Sequence, residues 1–125
     1  MVCPGEGSVA NHYQALRGAG LERAHALEVK YVVASTLLPE PVTMDVAKIV
    51  ARMNSLTVDD WKEISNNAND IGAKAKAAGF QFAYHNHFHE FRKYGEVTGY
   101  DVLLAETDPA LVKLEADCGW MVVAG

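Results

Sequence analysis

The run Gly79-Phe80-Gln81-Phe82-Ala83-Tyr84-His85-Asn86-His87-Phe88-His89-Glu90-Phe91 puts three of the chain's five histidines within five residues, and a glutamate follows directly. It opens as an apolar strand and ends in groups that bind metals and move protons. Side chains alternate along a strand, so His85 and His87 share one face with Gln81 and Ala83. Phe80, Phe82, Tyr84 and Asn86 take the other face. Two imidazoles two residues apart on one face can meet one ion or one substrate. A second acidic pair, Glu115 and Asp117, shares a face of the apolar stretch Leu111–Cys118. Imidazole with carboxylate suits divalent ions such as Zn, Mn, Co or Fe. An ion held there polarises a carbonyl or hydroxyl as a Lewis acid, and a neighbouring His or Glu moves the proton on the adjacent carbon. That chemistry serves aldose–ketose isomerisation, epimerisation, or β-elimination from a keto-sugar. The plainer reading is a solvated turn, or histidines bonded to nearby backbone. The cost of burying several polar groups without partners weighs against it.

The elements that must position these groups alternate in type. Residues 1–20 form an irregular or weakly helical lead-in with Pro4, Gly5, Gly7 and Ser8 as breakers. Leu21–Leu27 reads as helix, with His25 an ordinary surface or boundary residue. Lys30–Ser35 is a short β-branched run expected to be buried on both faces, as in a parallel sheet. After a Pro-bounded loop over Thr36–Pro41, a helix is expected from about Thr43 to Asn54. The clearest helix spans Thr57–Ala78. Thr57 caps it, acids fill its first turn, and Gly79 stops it. Trp61, Ile64, Ala68, Ile71, Ala75 and Ala78 recur at helical spacing, which makes Trp61 a core anchor. A strand over 80–87 follows, then a polar loop over 88–98 in which Arg92 and Lys93 meet an anionic substrate or only water. Thr98–Glu106 is a short helix, Leu111–Cys118 the last strand, and Met121–Gly125 the start of another helix.

Alternating βα units predict a parallel sheet, whose ligands gather beyond the C-terminal ends of its strands. His85 and His87 end the middle strand, and Glu115 and Asp117 end the next. The topology therefore brings imidazoles and carboxylates to one mouth. Cys118, beside Asp117, reads as a small buried neighbour.

Composition narrows the class. The chain has 125 residues, half of them hydrophobic, enough for one domain with a core. A net charge of −5 and a pI near 5.4 argue against a nucleic-acid backbone binder. No apolar run approaches the roughly 18–20 residues of a membrane helix. The N-terminus lacks the basic and apolar regions of a signal peptide, and Cys3 and Cys118 make no disulfide framework. The expected compartment is a reducing cytoplasm. There is no Gly-rich phosphate loop, no serine nucleophile elbow and no CxxC pair.

The run G-F-Q-F-A-Y-H-N-H-F-H-E-F, followed by T-D-P-A-L-V-K-L-E-A-D-C-G-W, resembles the sugar phosphate isomerase/epimerase family, the xylose isomerase-like group of TIM barrels. The resemblance extends from about Leu21 to Gly125. It implies an α/β fold of parallel βα units, about half of a (β/α)8 barrel in one domain, because a whole barrel takes about 250 residues. It implies one divalent ion (Mn, Mg, Zn or Co) and a small sugar or keto-sugar substrate. By position, Asp117 matches the metal-binding Asp of the family's D-x-x-H motif, and Trp120 stands where that motif has its His, offering a stacking surface. His85 falls where many members carry a metal-binding Glu. The implied metal ligands are thus His85 and Asp117. His87 and Glu90 become proton-transfer, substrate-binding or supporting groups, and Glu115 a substrate-binding or supporting carboxylate. An open half-barrel leaves strand edges exposed, which favours homo-oligomers.

Two other readings stay open. One is a non-catalytic module that keeps the strand mouths. The other is a metal-binding cupin, since Gly79-x5-His85-x-His87 matches that motif's opening; the long helix at 57–78 and the missing second motif count against it. An HNH-type nuclease conflicts with the acidic charge.

Overall fold

The computed structural model describes residues 19–39 and 45–125. Along the chain run α1 (Ala19–Ala26), β1 (Tyr31–Ala34), α2 (Val46–Asn54), α3 (Val58–Ala77), β2 (Gln81–His85) and a 3₁₀ turn (His89–Phe91). A small hairpin of β3 (Lys93–Tyr94) and β4 (Val97–Thr98) follows, then α4 (Gly99–Glu106), β5 (Val112–Glu115) and α5 (Cys118–Ala124). The expected lead-in lies outside the described residues except at its last two positions, as do Thr43 and Met44.

The sheet that carries the site is parallel and ordered β1-β2-β5. Its register sets Val33 beside Ala83 and Ala83 beside Lys113, and at the C-terminal end His85 beside Glu115. One sheet face packs on α3. That helix starts with Thr57, whose hydroxyl accepts the Asp60 N–H while the Asp60 carboxylate accepts the Thr57 N–H. It buries Trp61, Ile64, Ser65, Ala68, Ile71, Gly72 and Ala75 against Phe80, Phe82, Tyr84, Leu103 and Val112. The strand alternation read from sequence holds, because Phe80, Phe82 and Tyr84 are all core. Gly79 ends α3 at φ 86°, a left-handed turn that L side chains rarely adopt.

Several expectations are corrected. Lys30–Ser35 is expected to be buried on both faces, yet Tyr31 is 53% exposed, because it lies with Val33 and Ala83 on the sheet face turned away from α3. The opposite sheet face, with Val33, Ala83 and Lys113, opens into a groove of about 540 Å³ bounded by Leu27 and Glu115. The expected polar loop at 88–98 contains the 3₁₀ turn and the hairpin, whose two-residue loop uses Gly95 at φ 68°. The last strand ends at Glu115 rather than Cys118, and α5 starts at Cys118 rather than Met121. Both shifts have one cause: the Asp117 carboxylate accepts the Trp120 N–H and caps the helix. Cys118 is exposed, not buried, since it opens α5 on the solvent side.

Candidate functional site

The C-terminal ends of β2 and β5 bring His85, Glu115 and Asp117 together. His85 Nε2 lies 3.7 Å from Asp117 Oδ2, and His85 Nδ1 lies 3.8 Å from Glu115 Oε1. All three side chains are about a quarter to a third exposed, so they face an accessible mouth. Both separations exceed a hydrogen bond. Asp117 is held in place by Asn86, which is 1% exposed. The Asn86 Oδ1 accepts the Asp117 N–H at 2.9 Å, and its Nδ2 donates to the Asp117 carbonyl at 3.2 Å. This side chain continues the β2–β5 pairing past the last backbone partners. The Asp117 Oδ1 is used by the Trp120 N–H, which leaves Oδ2 turned to His85.

His87 stands next to this group. Its ring meets His85 edge-on at 5.1 Å and Trp120 at 5.6 Å. Burial, then the neighbouring His85, push its pKa below the ordinary histidine value, and Asp117 opposes them. His87 is therefore largely neutral at physiological pH and offers a lone pair. Trp120 also contacts Phe88 at 5.6 Å, which gives the mouth an aromatic wall.

Glu90 lies beneath, on the 3₁₀ turn, and is 0% exposed. Its Oε1 accepts the Tyr84 O–H at 2.9 Å and its Oε2 accepts the backbone N–H of His87 at 2.9 Å. Burial raises the Glu90 pKa against these hydrogen bonds, which hold it down. Burial, with Glu90 beside it, raises the Tyr84 phenol well above its usual value. With no exposed surface, Glu90 ties the 3₁₀ turn to Tyr84 and to the backbone of His87.

His89, which the sequence reading left without a role, packs 7% exposed between Trp61 and His87. Burial, then His87, push its pKa down to about 4. The H-x-H-x-H-E run was the available signal. Strand alternation could not use it, because β2 stops at His85 and the chain then turns. Arg92 donates to the backbone carbonyl of Asn54 and lies over the Tyr94 ring.

Compared with solved structures, the chain superposes on a sugar phosphate isomerase/epimerase from Parabacteroides distasonis with a TM-score of 0.64 and 23% identity. The match covers 98% of this chain and 42% of that one. The chain has the fold of part of a (β/α)8 barrel. Two curated proteins are similar to part of the chain in sequence. The inosose dehydratase of Lactiplantibacillus plantarum is 35% identical over 80 residues, 64% of this chain and 26% of that protein. The inosose dehydratase of Clostridium tetani is 33% identical over 69 residues, 55% of this chain and 22% of that protein. The partial barrel thus matches about a quarter of the length of each curated relative. No family model matches it. Its helices and parallel strands leave no place for the all-β cupin reading. No helix among the described residues is long and apolar enough to cross a membrane.

Proposed function

We propose that this partial barrel carries the proton-transfer site of a divalent-metal-dependent enzyme acting on a sugar or keto-sugar. The donor set fits the ion. With metal–ligand bonds of about 2.0–2.2 Å, two ligands of a tetrahedral ion lie about 3.4 Å apart, and His85 Nε2 and Asp117 Oδ2 are 3.7 Å apart. That facing pair, too distant to hydrogen-bond, is the observation that carries the proposal. Glu115 lies 3.8 Å from the other ring nitrogen of His85, beyond a hydrogen bond but on the side where a carboxylate stands behind a metal-bound histidine. A bound ion supplies Lewis acidity toward a substrate carbonyl.

The chain's own residues do the rest. His87, neutral and beside the pair, takes a proton from the carbon next to the carbonyl. Glu90 holds the backbone of His87 from below, so the imidazole keeps its position as the proton arrives. Trp120 offers its ring to the apolar face of a sugar and narrows access of water. Relatives named for inosose dehydration and a neighbour named for isomerisation and epimerisation differ in overall outcome. Removal of a proton next to a carbonyl is a step all three outcomes can share.

The test is exchange of substrate hydrogen with deuterium oxide. Incubated with Mn²⁺ and a panel of ketoses and cyclitol ketones, the chain should place deuterium next to the carbonyl of at least one, and His87→Gln should stop it. A second reading, a module that keeps the mouth without turnover, is supported by the three-stranded extent of the described sheet against the eight strands of a barrel. Metal binding with no exchange on any ketone would favour that reading.

A further inference from the structure

His89 lies in the most enclosed part of the histidine cluster. Its ring is nearly parallel to those of Trp61 and His87, at 6.1 Å and 5.8 Å. Its Nε2 is 3.4 Å from Glu90 Oε1. Its Nδ1 is buried with no hydrogen-bond partner among the described residues, and so is the Nδ1 of His87. A buried polar atom without a partner costs about 1–3 kcal/mol. Two of them on adjacent rings point to a shared ligand.

The identity of that ligand follows from the donors. A neutral imidazole has one N–H and one lone pair. With the Nε2–H of His89 turned toward Glu90, its lone pair falls on the orphaned Nδ1. A carboxylate behind a ring N–H is the usual support of a metal-binding histidine. One nitrogen of His87, one nitrogen of His89 and one oxygen of Glu90 lie within 4.8 Å of one another. No positive side chain is needed to balance the site, because the imidazoles are neutral ligands and Glu90 supplies the charge.

We propose that His87, His89 and Glu90 form a second divalent-metal site, with two imidazoles as ligands and Glu90 supporting His89. Two nitrogens against one carboxylate favour a borderline ion such as Zn²⁺ or Co²⁺ over Mn²⁺ or Mg²⁺. The His85–Asp117 pair offers one nitrogen and one oxygen and accepts harder ions as well. The second site stands on its own geometry. Its consequence for turnover rests on the function proposed above: an ion bound here occupies His87 and withdraws it from proton transfer, so zinc there inhibits.

Zinc binding to the purified chain, read by elemental analysis after equilibrium dialysis, tests the site. The wild-type chain should hold about two zinc ions, and Asp117→Ala and His89→Phe about one each. His89→Phe keeps an aromatic ring in the stack while removing both nitrogens, and circular dichroism checks that the bulkier ring leaves the fold intact. Unchanged zinc content in a folded His89→Phe overturns the second site, as does complete loss in Asp117→Ala or no zinc in the wild type. If His89→Phe does not fold, X-ray absorption of zinc-loaded Asp117→Ala decides. Scattering from two imidazoles supports the site, and a shell without them overturns it. In every arm Mn²⁺ binding reports on the His85–Asp117 pair separately, so the two proposals can fail independently.

Discussion

Asn86→Ala removes the side chain that ties the end of β2 to Asp117. Both hydrogen bonds to Asp117 go with it, at 2.9 and 3.2 Å, along with a longer one to the His87 carbonyl at 3.4 Å. Each bond to Asp117 is worth about 0.5–1.5 kcal/mol net, so the chain should lose about 1–3 kcal/mol of stability. Urea unfolding should show a lower midpoint with an unchanged slope, the mark of a changed native state rather than a changed denatured one. Asn86→Asp separates the two bonds. It keeps an acceptor for the Asp117 N–H but sets an oxygen against the Asp117 carbonyl, and it adds a negative charge at a site 1% exposed. It should therefore destabilise at least as much as the alanine variant, despite nearly equal volume. Both should weaken Mn²⁺ binding, because the Asp117 carboxylate loses the backbone anchor that turns Oδ2 to His85. A stability change within about 0.5 kcal/mol for Asn86→Ala, the range of an ordinary surface substitution, would refute the idea that this side chain extends the strand pairing.

Two further predictions concern the scaffold. A Cβ on Gly99 would collide with the Trp61 indole, and Trp61 is fully buried, so Gly99→Ala should cost about 1–3 kcal/mol, measured by thermal or urea unfolding. Asp60 is pushed up by burial but pulled down further by the hydroxyl and backbone N–H of Thr57 and by Arg52, 2.6 Å away, for a net pKa below the ordinary aspartate value of 3.8. Because the folded value lies below the unfolded one, the stability it confers is present above about 3.8 and fades as pH falls through the folded pKa. Urea midpoints measured against pH should therefore show less acid loss in Asp60→Asn than in wild type.

Much of this was legible because periodicity and caps are local. The apolar recurrence from Trp61 to Ala78 became the buried face of α3, and Thr57 became its cap. The aromatic alternation Phe80, Phe82, Tyr84 fixed which face of β2 enters the core, and hence that His85 points to the other side. The pairing of His85 with Glu115 needed only the βα order and equal strand ends. What escaped depended on where strands stop. Strand alternation carried past His85 put Asn86 on an aromatic face, whereas it is a polar clamp on Asp117. The same break hid His89, which reaches His87 through a turn and not along a strand. The hairpin at Lys93–Thr98 has strands of two residues, too short for a period to register. Glu90 gave no sign of its burial, because its partners Tyr84 and the His87 amide are set by that same turn.

The central claim is that His85 and Asp117 hold a divalent ion at the mouth of the partial barrel. Titration of the purified chain with Mn²⁺, followed by loss of the free-ion electron paramagnetic resonance signal, tests it most directly. One Mn²⁺ should bind per chain, and both Asp117→Ala and His85→Ala should weaken that binding by at least about tenfold, or 1.4 kcal/mol, with the fold retained by circular dichroism. Equal Mn²⁺ affinity in wild type and both variants, or no Mn²⁺ binding by folded wild-type chain, would contradict it.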